Sequence, residues 1–206
     1  MQIMYWISRE SFRIMLWILG GLKFYGTENV PKTGGFIVAS NHISYLDPPA
    51  VACGVRRQFH FMAKRELYRT KYRAWWMYAT GTFPVNRGSA DRAAIKRAIE
   101  YLNGGDILCL FPEGTRSPDG KLQQPELGVG MIALKSRAAV VPAAVIDTDK
   151  ALPPGGGIRR HPMKVVYGKP LTFPDLYDSK DSRESMEEIG RRIMAAIAEL
   201  QEQNKP

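Results

Sequence analysis

The chain has 206 residues, 45% of them apolar, and a formal net charge of +9 with a pI near 9.6. That length suits one domain with a full hydrophobic core, and that apolar share excludes a disordered chain. Two cysteines (Cys53 and Cys109) and three histidines without ligand spacing exclude a disulfide framework and a zinc site, and they fit a reducing compartment.

The first element is an apolar stretch at 3–22, rich in Trp, Ile, Met and Leu. No Lys or Arg precedes it and no small-residue cleavage site follows, which disfavours a signal peptide. Arg9, Glu10 and Arg13 lie in its middle. Each charge costs roughly 2.5–3.5 kcal/mol at a bilayer centre, against about 0.3–0.6 kcal/mol returned per Leu, Ile or Phe, so spanning is unfavourable. A helix lying in the membrane interface keeps those charges wet and buries Trp6 and Trp17. Its apolar positions do not form one clean stripe, and the competing reading packs the helix on the domain core. Residues 1–25 are therefore expected to form an N-terminal membrane-interface helical segment, and residues 26–206 the folded domain.

Strand-like apolar runs follow at 36–39, 59–62, 82–85, 107–111, 140–146 and 163–167. Cys109, inside the fourth run, reads as a buried thiol. Ser89 is placed to cap a helix through Ala93, Ala94, Ile95, Ala98, Ile99 and Leu102, with Asn103-Gly104 as its stop. A shorter helix is predicted at 128–136. A last one starts at Asp181-Ser182-Arg183-Glu184, a capping-box-like sequence, and runs through Ile189, Ile193, Ile197 and Leu200. Alternating strands and helices predict a single α/β domain with a largely parallel central sheet flanked by helices.

The charge is unevenly placed. Between Arg56 and Arg97 stand eleven basic residues and two acidic ones, a difference equal to the net charge of the whole chain. The same segment holds Trp75 and Trp76. Basic side chains beside aromatics suit a membrane phospholipid surface. Nucleic acid is not an expected partner, because the aromatics lie among Leu and Met and no reader motif accompanies them.

Two polar clusters each follow directly on an apolar run: 41–47, containing His42 and Asp47, and 111–117, containing Glu113, Gly114, Thr115 and Arg116. In sheets of this kind ligands gather at the carboxyl ends of strands. His42 and Asp47 are five residues apart, about 500° of rotation on an ideal helix, so they can meet only across a loop. Pro48-Pro49 fits a helix starting there, and Asp47 is then either the partner of His42 or merely the helix cap. As partner, an ionised Asp47 accepts from one ring nitrogen and leaves the other to take a proton from a hydroxyl. Glu113 is an acceptor, Gly114 allows close backbone approach, Arg116 can grip phosphate in two-pronged fashion, and Arg87 follows the run 82–85 as a second guanidinium at a strand end. No Ser or Cys stands in an elbow sequence, so direct transfer to a hydroxyl is favoured over a covalent intermediate.

These blocks resemble those of the glycerolphosphate/lysophospholipid acyltransferase family, in particular its lysophosphatidic acid acyltransferases. Asn41-His42 through Asp47-Pro48 matches its NHxxxxD block. Gly81-Thr82-Phe83-Pro84-Val85-Asn86-Arg87 looks like its Gly-to-Arg block, and Phe111 to Ser117 reads FPEGTRS. The run 140–146 resembles its Val-Pro strand. Pro84 and Thr148 depart from the usual pattern, which has an apolar strand residue and a Gly there. The resemblance implies acyl transfer from acyl-CoA or acyl-carrier protein to the sn-2 hydroxyl of 1-acylglycerol-3-phosphate. His42 would be the general base and Asp47 its orienting partner. Lys64, Arg87, Glu113, Gly114, Thr115 and Arg116 would bind the acceptor. It implies no cofactor beyond the acyl donor and places the enzyme on the cytoplasmic face of the membrane. Glycerol-3-phosphate, another lysophospholipid and a lyso-aminolipid are alternative acceptors. A peripheral lipid-binding module is the non-enzymatic alternative, which the joint presence of His42 and Asp47 disfavours.

Overall fold

The longest apolar runs of the sequence become the middle of a sheet. The computed structural model describes residues 2–86, 91–153, 155–179 and 182–205. Among them, β1 (Leu22–Tyr25), β2 (Phe36–Ser40), β3 (Phe59–Lys64), β4 (Thr82–Val85), β5 (Ile107–Leu110), β6 (Val140–Ile146) and β7 (Met163–Tyr167) form a seven-stranded sheet. Its order is β1-β7-β6-β2-β5-β3-β4. Neighbours pair in parallel except β6 and β7, which are antiparallel. β2, β5 and β6 are buried along their whole length, which is why they read as unbroken apolar runs and not as alternating ones. β1 is an addition to the expected strands. The segment set apart as residues 1–25 thus ends inside the sheet, at an edge.

Both strand prolines are accommodated by position. Pro84 lies in β4, the edge strand beyond β3, where a missing N–H need not break a ladder. Pro142 lies in a central strand. Its carbonyl accepts from Gly168 N on the β7 side at 2.8 Å, while the ladder with β7 starts only at Ala143. Its absent N–H points to that unladdered side.

Strand alternation divides the core in two. Val38, Cys109 and Val141 face α1 (Gln2–Ile18) and α2 (Asp47–Cys53). Ile37, Leu108 and Val140 face α4 (Arg92–Asn103), α5 (Leu127–Ser136) and α7 (Ser182–Asn204), after α3 (Lys71–Ala79) has crossed near the β3–β4 edge. The short α6 (Thr148–Ala151) follows β6 directly. The cap of α4 is a correction to the sequence reading. Asp91, not Ser89, precedes the helix and accepts from Ala94 N at 3.0 Å, and Ser89 lies outside the described residues. Asp181, expected at the start of α7, also lies outside them.

The chain leaves β2 toward β3, β4 and β5 on one side and returns to β6 on the other. The carboxyl end of β2 is therefore a topological switch point, where a crevice forms. His42 is two residues beyond it.

Candidate active site

The turn that carries His42 is built by its neighbours. Asn41 continues the β2 ladder with its side chain: Nδ2 donates to Val145 O at 3.0 Å and Oδ1 accepts from Val145 N at 2.8 Å. The amide replaces the backbone pairing that the chain gives up as it turns out of the strand. Asp47 then closes the loop. Its Oδ2 accepts from Ile43 N at 2.6 Å and Ser44 N at 2.7 Å, and lies 2.8 Å from His42 Nδ1. Leu46 occupies the cap position of α2 and Asp47 is its first helical residue, so the helix-cap alternative for Asp47 is not what the fold adopts.

Oδ2 already serves two backbone donors, which identifies it as an anionic acceptor, so Nδ1 carries the hydrogen. Nε2 is left with its lone pair. Phe111 stacks on the imidazole at 4.1 Å between centroids and 24° between planes, which fixes the ring's tilt. Asp47 is wholly buried, and its other oxygen, Oδ1, accepts from Thr148 Oγ1 at 2.5 Å. Sequence reasoning missed Asn41, Phe111 and Thr148 as parts of the site. Asn41 and Phe111 each open a family block, which was the signal for them, and Thr148 was marked only by standing where Gly is usual.

The second loop is tied to the first. Ser117 N donates to His42 O at 2.7 Å, and His42 N donates to Glu113 Oε1 at 2.9 Å. Glu113 Oε2 accepts from Gln123 N at 3.2 Å. Both carboxylate oxygens thus hold backbone, and Glu113 is buried, making it a brace between loops. Burial raises its carboxyl above the ordinary range, with the amides of His42 and Gln123 pulling the other way. Gly114 turns with φ 67, and Gly81, which opens the Gly-to-Arg block, turns with φ 79. A Cβ at Gly81 would come within 2.3 Å of Phe59 O, so only glycine fits there.

A cavity of about 450 Å³ adjoins the pair. Its polar part is lined by His42, Lys64, Thr115 and Arg116, three of them expected acceptor-binding residues. Arg116 lies flat on the ring of Tyr45, with Cζ 3.6 Å from the centroid. Its apolar part is lined by Phe12, Phe61, Met62, Leu67, Trp76 and Met77. Glu113 and Gly114 are not in that lining. Arg87 lies outside the described residues.

The N-terminal helix packs on the domain, as the competing reading has it, and also carries a second, exposed apolar face. Tyr5, Ser8, Arg9 and Leu16 are buried toward the domain, while Ile3, Ile7, Ile14, Trp17 and Ile18 are exposed on the other side. Two apolar faces explain the lack of a single apolar stripe. Arg9 corrects an expectation: it is buried, not wet. Its guanidinium donates to Ala52 O at 3.3 Å and Cys53 O at 2.8 Å, carbonyls at the carboxyl end of α2, and it pairs with Glu10. Trp6 and Trp75 are exposed, whereas Trp76 is half-buried against the cavity. No helix among the described residues is long and apolar enough to cross a membrane. No cluster of three or more His, Cys, Asp or Glu among them could hold a metal ion.

A histidine backed by a buried aspartate at the end of a parallel strand, beside an apolar cavity with cationic side chains, fits an α/β enzyme of the acyl-transferring class. A family model described as Acyltransferase matches residues 21–146, and the chain belongs to that family. The 1-acyl-sn-glycerol-3-phosphate acyltransferase of Bacillus subtilis (strain 168) is 31% identical over 203 residues, 96% of this chain and 97% of that one. The protein of the same name from Streptococcus pneumoniae (strain R6) is 28% identical over 210 residues, 99% of this chain and 75% of that one. The crystal structure of the 1-acyl-sn-glycerophosphate (LPA) acyltransferase PlsC from Thermotoga maritima superposes with a TM-score of 0.74 at 29% identity. It covers 95% of this chain and 79% of that one.

Proposed function

We propose that this acyltransferase moves a fatty acyl group from acyl-CoA or acyl-carrier protein to the sn-2 hydroxyl of 1-acyl-sn-glycerol-3-phosphate, giving phosphatidic acid. The observation that carries this is the 2.8 Å contact of His42 Nδ1 with Asp47, on the wall of a cavity shared with Lys64 and Arg116. The names of the relatives from Bacillus subtilis and Streptococcus pneumoniae support the choice of acceptor. His42 Nε2 takes the proton of the acceptor hydroxyl as its oxygen attacks the thioester carbonyl. The tetrahedral adduct collapses, the carbon–sulfur bond breaks, and the proton held on Nε2 goes to the leaving thiolate. Lys64 and Arg116, with Arg87 and Thr115 from the family blocks, hold the acceptor phosphate. The apolar part of the cavity takes acyl chain. The thioester donor is a substrate, and no separate cofactor is needed.

The same reading places the enzyme on a phospholipid surface, at the cytoplasmic face of the cell membrane, as a peripheral or monotopic protein. The outer face of α1 supports it. So do Tyr72 and Trp75 on α3, which stand exposed beside Lys71 and Arg73. α1 and α3 both line the cavity, so the lipid phase and the binding site are adjacent. The test is a matrix of donors (acyl-CoA, acyl-carrier protein) and acceptors on purified enzyme in detergent. Transfer to 1-acylglycerol-3-phosphate at the highest kcat/KM is the expected result. Transfer confined to glycerol-3-phosphate or to a lyso-aminolipid would keep the chemistry and replace the acceptor, and no transfer to any hydroxyl would remove the reading.

A further inference from the structure

We propose that Thr148 is a positioning residue of the His42–Asp47 pair, its hydroxyl fixing the carboxylate's rotation and setting how strongly Oδ2 holds the imidazole proton. The proposal rests on the reading of His42 as the base. It starts from a count of donors. Asp47 has no exposed surface, and its Oδ2 serves His42 Nδ1, Ile43 N and Ser44 N. Oδ1 has Thr148 Oγ1 at 2.5 Å, and Thr148 is itself fully buried. A buried carboxylate needs donors on both oxygens, or its charge concentrates on the unserved one.

Thr148 is held for this task from both sides. Asp147, just before it, adopts the left-handed conformation with φ 65 and is steadied there by Lys150 at 2.8 Å and His161 at 3.4 Å. That turn swings the chain off β6 and aims Thr148 inward. At the other end of α6, Leu152 N closes on Thr148 O at 2.9 Å, and Leu152 O accepts from Ser44 Oγ at 3.0 Å. The short helix is thus fastened to the His42 loop at its first residue and again just past its last. With Asn41 and Val145 it makes β6 and α6 the frame on which the base and its partner are set.

Removing the hydroxyl leaves Oδ1 without its donor, and the carboxylate then draws the imidazolium more strongly. The ring keeps its proton to higher pH, and the acid limb of kcat/KM moves upward with it. A residue that only filled space would not move that limb. The experiment follows the histidine ring signals by NMR against pH in wild type, Thr148→Val and Thr148→Ser, with His42→Gln identifying the His42 signal. The pH profile of acyl transfer is measured on the same proteins. Thr148→Val is expected to raise the His42 midpoint and the acid limb together and to lower plateau kcat/KM roughly tenfold or more. Thr148→Ser restores all three. Thr148→Ala removes the same donor from a smaller side chain and serves if the valine variant does not fold. A folded donor-less variant whose midpoint and profile match wild type overturns the proposal. A shifted midpoint in a protein that transfers no acyl group overturns the catalytic reading instead and leaves the Thr148 link standing.

Discussion

α7 and α1 each close one face of the sheet and treat their outer surfaces in opposite ways. α7 buries Ile189, Ile193 and Ile197 and covers its outer side with ion pairs: Arg183 with Glu187, Glu188 with Arg191 and Arg192, and Arg192 with Asp175. Its outward neighbour is water. α1 buries Tyr5 and Leu16 yet leaves Ile3 and Trp17 about three-quarters exposed, 75% and 73%, on its other side. Arg9 turns inward, so Glu10 and Arg13 are the charges left outside on this helix. The helix over the scaffold face turns charge outward, whereas the helix over the cavity face turns isoleucine and tryptophan outward. One apolar face on a helix reports a core, and the second apolar face of α1 is what the proposed contact with a phospholipid surface rests on.

The comparison breaks if chemistry and stability fail to separate between the two faces. His42→Ala, on the cavity side, is expected to lower kcat by about 10²–10⁴-fold, with Tm and liposome binding near wild type. Steady-state kinetics beside a thermal melt check this. Ile189→Ala, under α7, should do the reverse. A buried isoleucine truncated to alanine costs about 2–5 kcal/mol, read as a lower urea midpoint at nearly unchanged kcat on detergent-dispersed substrate.

The outward face of α1 is sharpened by a double charge. Ile7→Glu with Ile14→Glu removes two exposed apolar side chains and should weaken binding to anionic vesicles at least tenfold by flotation, leaving the melt unchanged. Equal flotation would return α1 to the status of an ordinary core helix. The smallest effect belongs to α7's outer pairs. Hydrogen bonds from Arg191 and Arg192 hold the Glu188 carboxyl down at about 2. A depressed carboxyl stabilises above its unfolded value near 4.5 and loses that contribution as pH falls toward 2. Wild type should therefore melt about a degree above Glu188→Gln at pH 7, with the gap closing below pH 4.

Much of the site could be read along the chain because it is local. His42 and Asp47 are five residues apart with Pro48 next, so both could be placed in one loop from sequence, but whether Asp47 meets the ring or caps the helix was settled by the 2.8 Å contact. The central strands were legible because burial on both faces leaves only apolar residues. β1 was not, because four residues at a sheet edge look like the tail of the helix before them. Ser89 looked like a cap because a serine ahead of an apolar periodic run fits the rule. Asp91 took that role because its carboxylate also accepts from Asn86 N and Nδ2, which binds the preceding loop. Glu113 read as a ligand for substrate, since a glutamate after a strand is indistinguishable in sequence from one that braces two loops.

The amino-acid order alone carries the α/β class, the order of the four blocks and the presence of an imidazole and a carboxylate in one loop. Each of these depends on spacing within one strand–loop unit. Which groups complete that site emerges from the folded chain: Phe111 from β5's end, Thr148 from β6's end and the Asn41–Val145 bridge. These contacts join segments 69 to 104 residues apart. No local pattern encodes such distances. They exist because a parallel sheet brings the carboxyl ends of β2, β5 and β6 side by side, and buried polar groups there must find partners among whatever those ends present.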